Sequence, residues 1–419
     1  MSARLVNFRI LMKSHLPSVF LASCLLAALP AGAASGPGNG GAGDDLAPAP
    51  GLPLEPPAKP GLIQTLTHKD FSGVTSITLA PGGKHAYAAS FHQGLITLLI
   101  RNPQSGRLTH VKSVTGDHFK GAVAFRLSKD GLLGAASAFR SESLILFSRN
   151  PATGELTETD HVGGADKPMA GLGWCIDNVF SPDGKFVYAV SSDSILCFKI
   201  ADGKLAHVET VTEPVKADDE GNPKRPRMSG ARGVAITPDG KTLLTSWNGS
   251  GTLMVHSRDL ETGKLTLLQS ISNGAGIDKG LEGVLHVTVS PDGGFAYTAG
   301  GRFGGENAVC AFSIEPKTGR LNFIQCLTGK DLPPDYDGGN EIVVSPDGFQ
   351  VAVACTLSDC LTRFSRDPEN GKLTAGKSFA CGPPANPGAC GVIYDSTGGH
   401  ILVADENSSS IVVFRNLTR

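Results

Sequence analysis

The chain has 419 residues, a formal net charge of −2, 18% charged residues, 6% aromatic residues and nine cysteines. So balanced a charge argues against a nucleic-acid partner. The densest basic stretch, Lys224-Arg225-Pro226-Arg227, follows Asp218-Asp219-Glu220 and reads as a mixed-charge surface loop.

At the amino end, Arg4, Arg9 and Lys13 precede a mostly apolar run from Leu16 to Leu29, and Ala31-Gly32-Ala33 supplies small residues for cleavage. This predicts an export signal peptide over residues 1–33. Leu21-Ala22-Ser23-Cys24 has lipobox character, but the apolar run continues past Cys24, which favours simple cleavage over a lipid anchor. The run is shorter than the roughly twenty residues a membrane span needs. Residues 34–60 are rich in Pro, Gly and Ala and predict a flexible linker. The expectation is an exported protein, periplasmic or extracellular, with one folded domain over residues 61–419.

Within that domain a short turn recurs seven times between apolar runs. It reads Ala80-Pro81-Gly82-Gly83, Ser128-Lys129-Asp130-Gly131, Ser181-Pro182-Asp183-Gly184, Thr237-Pro238-Asp239-Gly240, Ser290-Pro291-Asp292-Gly293, Ser345-Pro346-Asp347-Gly348 and Ser396-Thr397-Gly398-Gly399. Pro presets one corner of such a turn and Gly takes positive φ without steric cost. A second turn recurs about twenty residues later, as in Thr262-Gly263-Lys264-Leu265 and Asn370-Gly371-Lys372-Leu373. A period near fifty residues built of four short strands predicts an all-β, seven-bladed β-propeller with four antiparallel strands per blade. The last repeat ends after its third strand, at Ile411 to Phe414. Leu62-Ile63-Gln64-Thr65-Leu66 is therefore predicted to supply the missing strand and close the ring.

Removing Cys24 with the leader leaves eight cysteines. An exported chain predicts disulfides, with Cys310–Cys326, Cys355–Cys360, Cys381–Cys390 and Cys175–Cys197 as the local pairs. Buried free thiols are the alternative.

Counting back four residues from each turn places Ser76, Ala124, Asp177, Gly233, His286, Glu341 and Val392 near the start of the innermost strands, at the channel mouth. Asp177, His286 and Glu341 are candidate proton-transfer groups, and Arg232 a holder of an anion or oxyanion. Each has a plainer reading: Asp177 as a loop cap, His286 as a satisfied core histidine, Glu341 as part of a solvated or cation-binding acidic loop. Trp247 and His92, just past second strands, are candidates to line the rim and stack on a ligand, or are ordinary surface aromatics. Neither His-x-x-x-His nor Cys-x-x-Cys occurs, so no metal and no cofactor is expected.

No blade carries a Trp-Asp pair, and only two tryptophans occur. The composite repeat runs Ser-Pro-Asp-Gly-Lys, apolar strand, polar loop, second apolar strand, then Asp-Pro-x-Thr-Gly-Lys-Leu. It resembles the seven-bladed lactonase family, which includes bacterial 6-phosphogluconolactonases and fungal carboxymuconate cyclases. The resemblance spans the whole of residues 61–419 and implies a propeller that hydrolyses a lactone at its channel. The family's Gly-Pro-Arg-His stretch is matched here by Gly230-Ala231-Arg232-Gly233, which keeps the arginine and replaces the histidine with glycine. Its Ser-Asn-Arg stretch is matched loosely by Gly301-Arg302 and Phe139-Arg140, so Arg302 and Arg140 are implied substrate contacts. The alternative expectation is a non-catalytic propeller that binds a protein or glycan at the cell envelope.

Overall fold

The computed structural model describes residues 61–212, 230–382 and 387–416. The predicted leader, linker, Cys24 and the basic loop at Lys224–Arg227 lie outside the described residues. Seven sheets follow one another along the chain, and the first strand of each blade contacts the first strands of its two neighbours in a closed cycle. These innermost strands are Val74–Leu79, Ala122–Leu127, Asp177–Phe180, Ala231–Ile236, Val284–Val289, Gly339–Val344 and Ala389–Tyr394. Blade four carries a fifth, two-residue strand, Gly276–Ile277, paired parallel to its outer edge. The seventh blade is completed by Leu62–Thr67, which pairs antiparallel with Ser410–Arg415, so the first and last described strands share one sheet.

The recurrent turn works through its polar side chains. Ser181 Oγ donates to Asp183 Oδ1 at 2.5 Å and accepts from Phe186 N at 3.0 Å, while Asp183 Oδ1 accepts from Lys185 N. Gly184 closes the turn at φ +70°, a conformation that a side chain disfavours. The seventh turn departs from its expected phase. Asp395, not Ser396, takes the first position, since Asp395 N donates to His400 O just as Ser345 N donates to Gln350 O.

Seven apolar clusters hold the ring, one in each gap between blades. The period-2 alternation of the middle strands feeds two gaps at once. In blade one, Tyr87 and Ala89 pack toward blade two, while Ala86 and Ala88 pack toward blade seven. Polar clasps add to four of the gaps. Tyr297 of blade five accepts from Arg366 Nε of blade six at 2.6 Å and donates to Gly371 O. Arg366 also donates to Gly348 O and pairs with Asp292 at 2.8 Å. Tyr188 with Arg258, and Tyr87 with Arg149, repeat the arrangement between blades three and four and blades one and two. At the closing gap Arg101 of blade one binds Asp395 and His400 of blade seven. Removing the tyrosine hydroxyl strands a buried guanidinium N–H and a carbonyl. Tyr297→Phe should therefore cost about 1–3 kcal/mol in denaturant unfolding, against near-neutrality for a surface substitution.

Candidate active site at the channel mouth

The antiparallel blades bring three features to one face: the starts of the innermost strands, the loops between second and third strands, and the connections between blades. In six blades the innermost strand opens with a one-residue bulge. A bulge re-aims the extra side chain out of the regular alternation. In blade four the extra residue is Arg232, between Ala231 and Gly233, and in blade seven it is Cys390, between Ala389 and Gly391.

One step down the channel, Asp177, His286 and Glu341 converge from blades three, five and six, as the turn spacing predicts. The seventh blade contributes Gly391 rather than Val392, because its turn begins at Asp395. The small residues in this ring make room for the large ones. A Cβ on Gly233 would stand 2.8 Å from His286 Cα and 3.0 Å from its Cδ2. His286 therefore fills the space beside the position where the family motif carries its own histidine.

The group that organises the ring is Arg126 of blade two. Its Nη2 lies 3.1 Å from Asp177 Oδ1 and 2.9 Å from Glu341 Oε1, so one guanidinium ties blades two, three and six across the channel. Glu341 Oε2 also accepts from Val392 N of blade seven at 3.0 Å. Burial works to raise the pKa of Asp177, but the charge of Arg126, with help from His286, outweighs it and holds the carboxyl below the usual range. His286 Nε2 is 3.5 Å from Asp177 Oδ2 and 3.9 Å from Glu341 Oε1. Neither buried ring nitrogen has a hydrogen-bond partner among the described residues.

A second layer lies at the mouth. Arg302, from the loop after the second strand of blade five, reaches past blade six to blade seven. There it pairs with Glu406 at 2.5 Å and approaches Cys390 Sγ at 3.1 Å. Burial would raise the pKa of Glu406, but Arg302 overrides it and keeps the carboxylate charged. Burial pushes the Cys390 thiol up to about 12, so it is a proton donor to Glu406 rather than a nucleophile. Phe303 presents its ring to two guanidinium groups, Arg232 at 5.3 Å and Arg302 at 4.9 Å. Arg232 is the exception in this layer: it has no carboxylate partner among the described residues, and its buried Nε makes no hydrogen bond. Burial first, and the neighbouring charge of Arg302 second, push its pKa down to about 10. It stays cationic at neutral pH, half-buried and without an anion among the described residues.

The remaining predicted contacts divide. His92 is exposed on the mouth face and close enough for its charge to act on Glu406. Arg140 is exposed and lies 4.5 Å over Phe91. Trp247 is not at the rim. It is 1% exposed, packed between blades three and four, with Nε1 donating to Thr245 Oγ1. Its place at the end of a second strand suggests the rim, but the inward phase of that strand buries it. The exposed indole is Trp174, at φ +55°, stacked 5.4 Å from Phe139. Sequence reasoning missed Arg126, although a signal existed. The equivalent positions in the other blades are Thr78, Val179, Ala235, Thr288, Val343 and Ile393, so Arg126 is the only charge among them.

All eight described cysteines are free thiols. Cys175 packs toward blade two and Cys197 toward blade four, on opposite faces of one sheet, so they cannot pair. Cys390 turns to Arg302 and Glu406, while Cys381 packs in the cluster between blades six and seven. Two histidine–carboxylate groups, His68/Asp70/His110 and His118/Glu158/His161, form where outer fourth strands meet the connections between blades. Tertiary pairing assembles them, so no local spacing announces them. In the second group the imidazoles stack at 4.1 Å and 8°, and two such planes share no point where one ion could lie in both. An ion there would require one ring to turn.

A family model described as Lactonase, 7-bladed beta-propeller, matches residues 61–177 and 179–386. Among solved structures, the periplasmic gluconolactonase PpgL of Pseudomonas aeruginosa aligns with a TM-score of 0.60 and 22% identity, over 74% of this chain and 86% of that one. A candidate 6-phosphogluconolactonase of Bacteroides fragilis aligns with a TM-score of 0.63 and 19% identity, over 83% and 92%. At these identities the likeness is one of fold. An uncharacterised protein of Lactococcus lactis, YwcC, is 27% identical over 217 residues, 51% of this chain and 58% of its own length. The chain thus spans little more than half of that curated relative. No helix among the described residues is long and apolar enough to cross a membrane.

Proposed function

Because the chain belongs to the family of seven-bladed lactonase β-propellers, we propose that it is an exported enzyme that opens a lactone ring by hydrolysis at its channel mouth. The observation that carries this reading is Arg232, a half-buried cation without a carboxylate partner among the described residues, one residue along the chain from Gly233, against which His286 packs. Such a group is a preorganised stabiliser for negative charge that develops during a reaction.

The geometry supports the following steps. With the N–H of His286 at Nε2, facing the two carboxylates, Nδ1 takes a proton from water as the water oxygen attacks the lactone carbonyl. Asp177 and Glu341 stabilise the imidazolium that results, and Arg126 keeps both carboxylates ionised and in place. Arg232 holds the tetrahedral oxyanion or an anionic substituent of the substrate. The ring C–O bond then breaks, and the imidazolium returns its proton to the departing ring oxygen, leaving a hydroxy acid. Sugar-phosphate lactones are cytosolic metabolites, so an exported enzyme would meet an unphosphorylated lactone. The likeness in fold to a periplasmic gluconolactonase fits that choice.

A panel of sugar and aromatic lactones offered to purified protein tests the reading. Turnover above the spontaneous rate should fall about 10²–10³-fold in Arg232→Ala, the loss expected for one oxyanion donor. No turnover of any lactone by folded wild-type protein would end it.

A further inference from the structure

We propose that Cys310 and Cys326 are a dithiol poised to close as a disulfide that staples the base of the Arg302 loop. The two residues are directly opposed in the antiparallel ladder between the third and fourth strands of blade five, Ala308–Ile314 and Leu321–Thr328. Opposed ladder residues have Cα atoms about 4.5–5.5 Å apart, inside the separation a disulfide spans. Their sulfurs also converge. A Cβ on Gly280, in the connection crossing this edge, would overlap both, with Cys310 Sγ at 2.5 Å and Cys326 Sγ closer still. Gly280 at φ +112° therefore leaves a space that the two sulfurs share. Cys310 is fully buried and Cys326 partly exposed, so Cys326 is the more accessible of the two.

The chemistry is thiol–disulfide exchange with a small-molecule or protein disulfide. The Cys326 thiolate attacks the oxidant, forms a mixed disulfide and expels one thiolate. The Cys310 thiol, losing its proton, attacks the Cys326 sulfur and expels the second. The protein is oxidised by two electrons, and the oxidant leaves as two thiols carrying the two protons. The second opposed pair, Cys355 and Cys360, is buried on both sides and gives an oxidant no entry.

The consequence reaches the mouth. The third strand of blade five begins where the loop bearing Arg302 and Phe303 ends, and Cys310 is its third residue. Glu306, at the end of that loop, accepts from Gly280 N and Asn273 Nδ2, and so ties the loop to the same connection. A bond between Cys310 and Cys326 would fix the exit of the loop that carries the mouth arginine. This inference does not depend on the reaction proposed above.

The test exposes full-length protein to oxidised glutathione, then unfolds it, alkylates it and maps its peptides. Wild type should lose the mass of two hydrogens in one peptide pair joining Cys310 to Cys326, with no glutathione retained, and should unfold at higher temperature than its reduced form. Cys310→Ser should retain glutathione on Cys326, and Cys326→Ser should retain none on Cys310. The proposal is overturned if wild type keeps glutathione on Cys326 while Cys310 remains alkylatable. It is equally overturned if both cysteines are alkylated after equilibration with the oxidant, or if the joined peptides contain other cysteines.

Discussion

His286→Ala should lower kcat/KM for lactone hydrolysis by about 10²–10⁴-fold, the range for removing a general base, while leaving the protein folded. The contrast arises because His286 contributes no direct hydrogen bond to stability. Both ring nitrogens lack hydrogen-bond partners among the described residues, and the nearest carboxylate oxygens are 3.5 and 3.9 Å away. A histidine kept for packing would behave in the opposite way. Its loss would open a cavity and cost stability, with turnover falling only as the folded fraction falls. Thermal unfolding and single-turnover kinetics on the same variant separate the two. A second arm uses Gly233→Ala. Its Cβ would press on His286 at Cα and Cδ2, so it should displace the imidazole and reduce turnover although alanine has no chemistry of its own. Unchanged rates in both variants would remove His286 from the reaction.

The blades were legible because their determinants are local. A Ser-Pro-Asp-Gly turn carries its own hydrogen bonds, as at Ser181 and Asp183, and its recurrence fixes the phase of the strands on either side. That phase brought Asp177, His286 and Glu341 to one level from three distant segments. It failed where the local signal was imperfect. The turn at Ser396 is one residue out of phase with Asp395, and Val392 was read where Gly391 stands. Arg126 stood out as the one charge at its repeat position, but its role lies in pairing with carboxylates 51 and 215 residues away, which that position alone does not show. Trp247 was expected at the rim and is buried for a related reason. Exposure on a propeller face depends on how neighbouring blades and connections cover a strand end, and Trp247 packs into the gap between blades three and four. The bulges that aim Arg232 and Cys390 also left no mark in composition, being defined only by the partner strand's register.

Arg126→Leu should be the most destabilising single change at the channel, costing about 3–5 kcal/mol at neutral pH, as expected when one partner is removed from a buried ion pair. The reason lies in what remains. Asp177 and Glu341 both face the former guanidinium position, and without it two carboxylates share a buried site with only His286 nearby. The pH dependence should change sign. In wild type the folded-state pKa of Asp177 lies below its unfolded value, because Arg126 outweighs burial. Its contribution is therefore fully present above the unfolded value near 3.9 and is lost as pH falls through the lower folded value. In Arg126→Leu, burial and like-charge repulsion outweigh what His286 and the Asn178 backbone still offer, and raise the folded pKa above the unfolded one. The site then prefers a bound proton, and stability falls as pH rises toward neutrality. Urea unfolding at acidic and neutral pH reads both slopes. Adding Asp177→Asn to Arg126→Leu removes one of the two charges and should recover much of the loss at neutral pH, whereas Asp177→Asn alone leaves Arg126 paired with Glu341 and costs less. If Arg126→Leu instead followed the wild-type slope, the cross-channel ion pair would not be what holds these carboxylates ionised, and the proton-transfer role assigned to His286 would lose its electrostatic support.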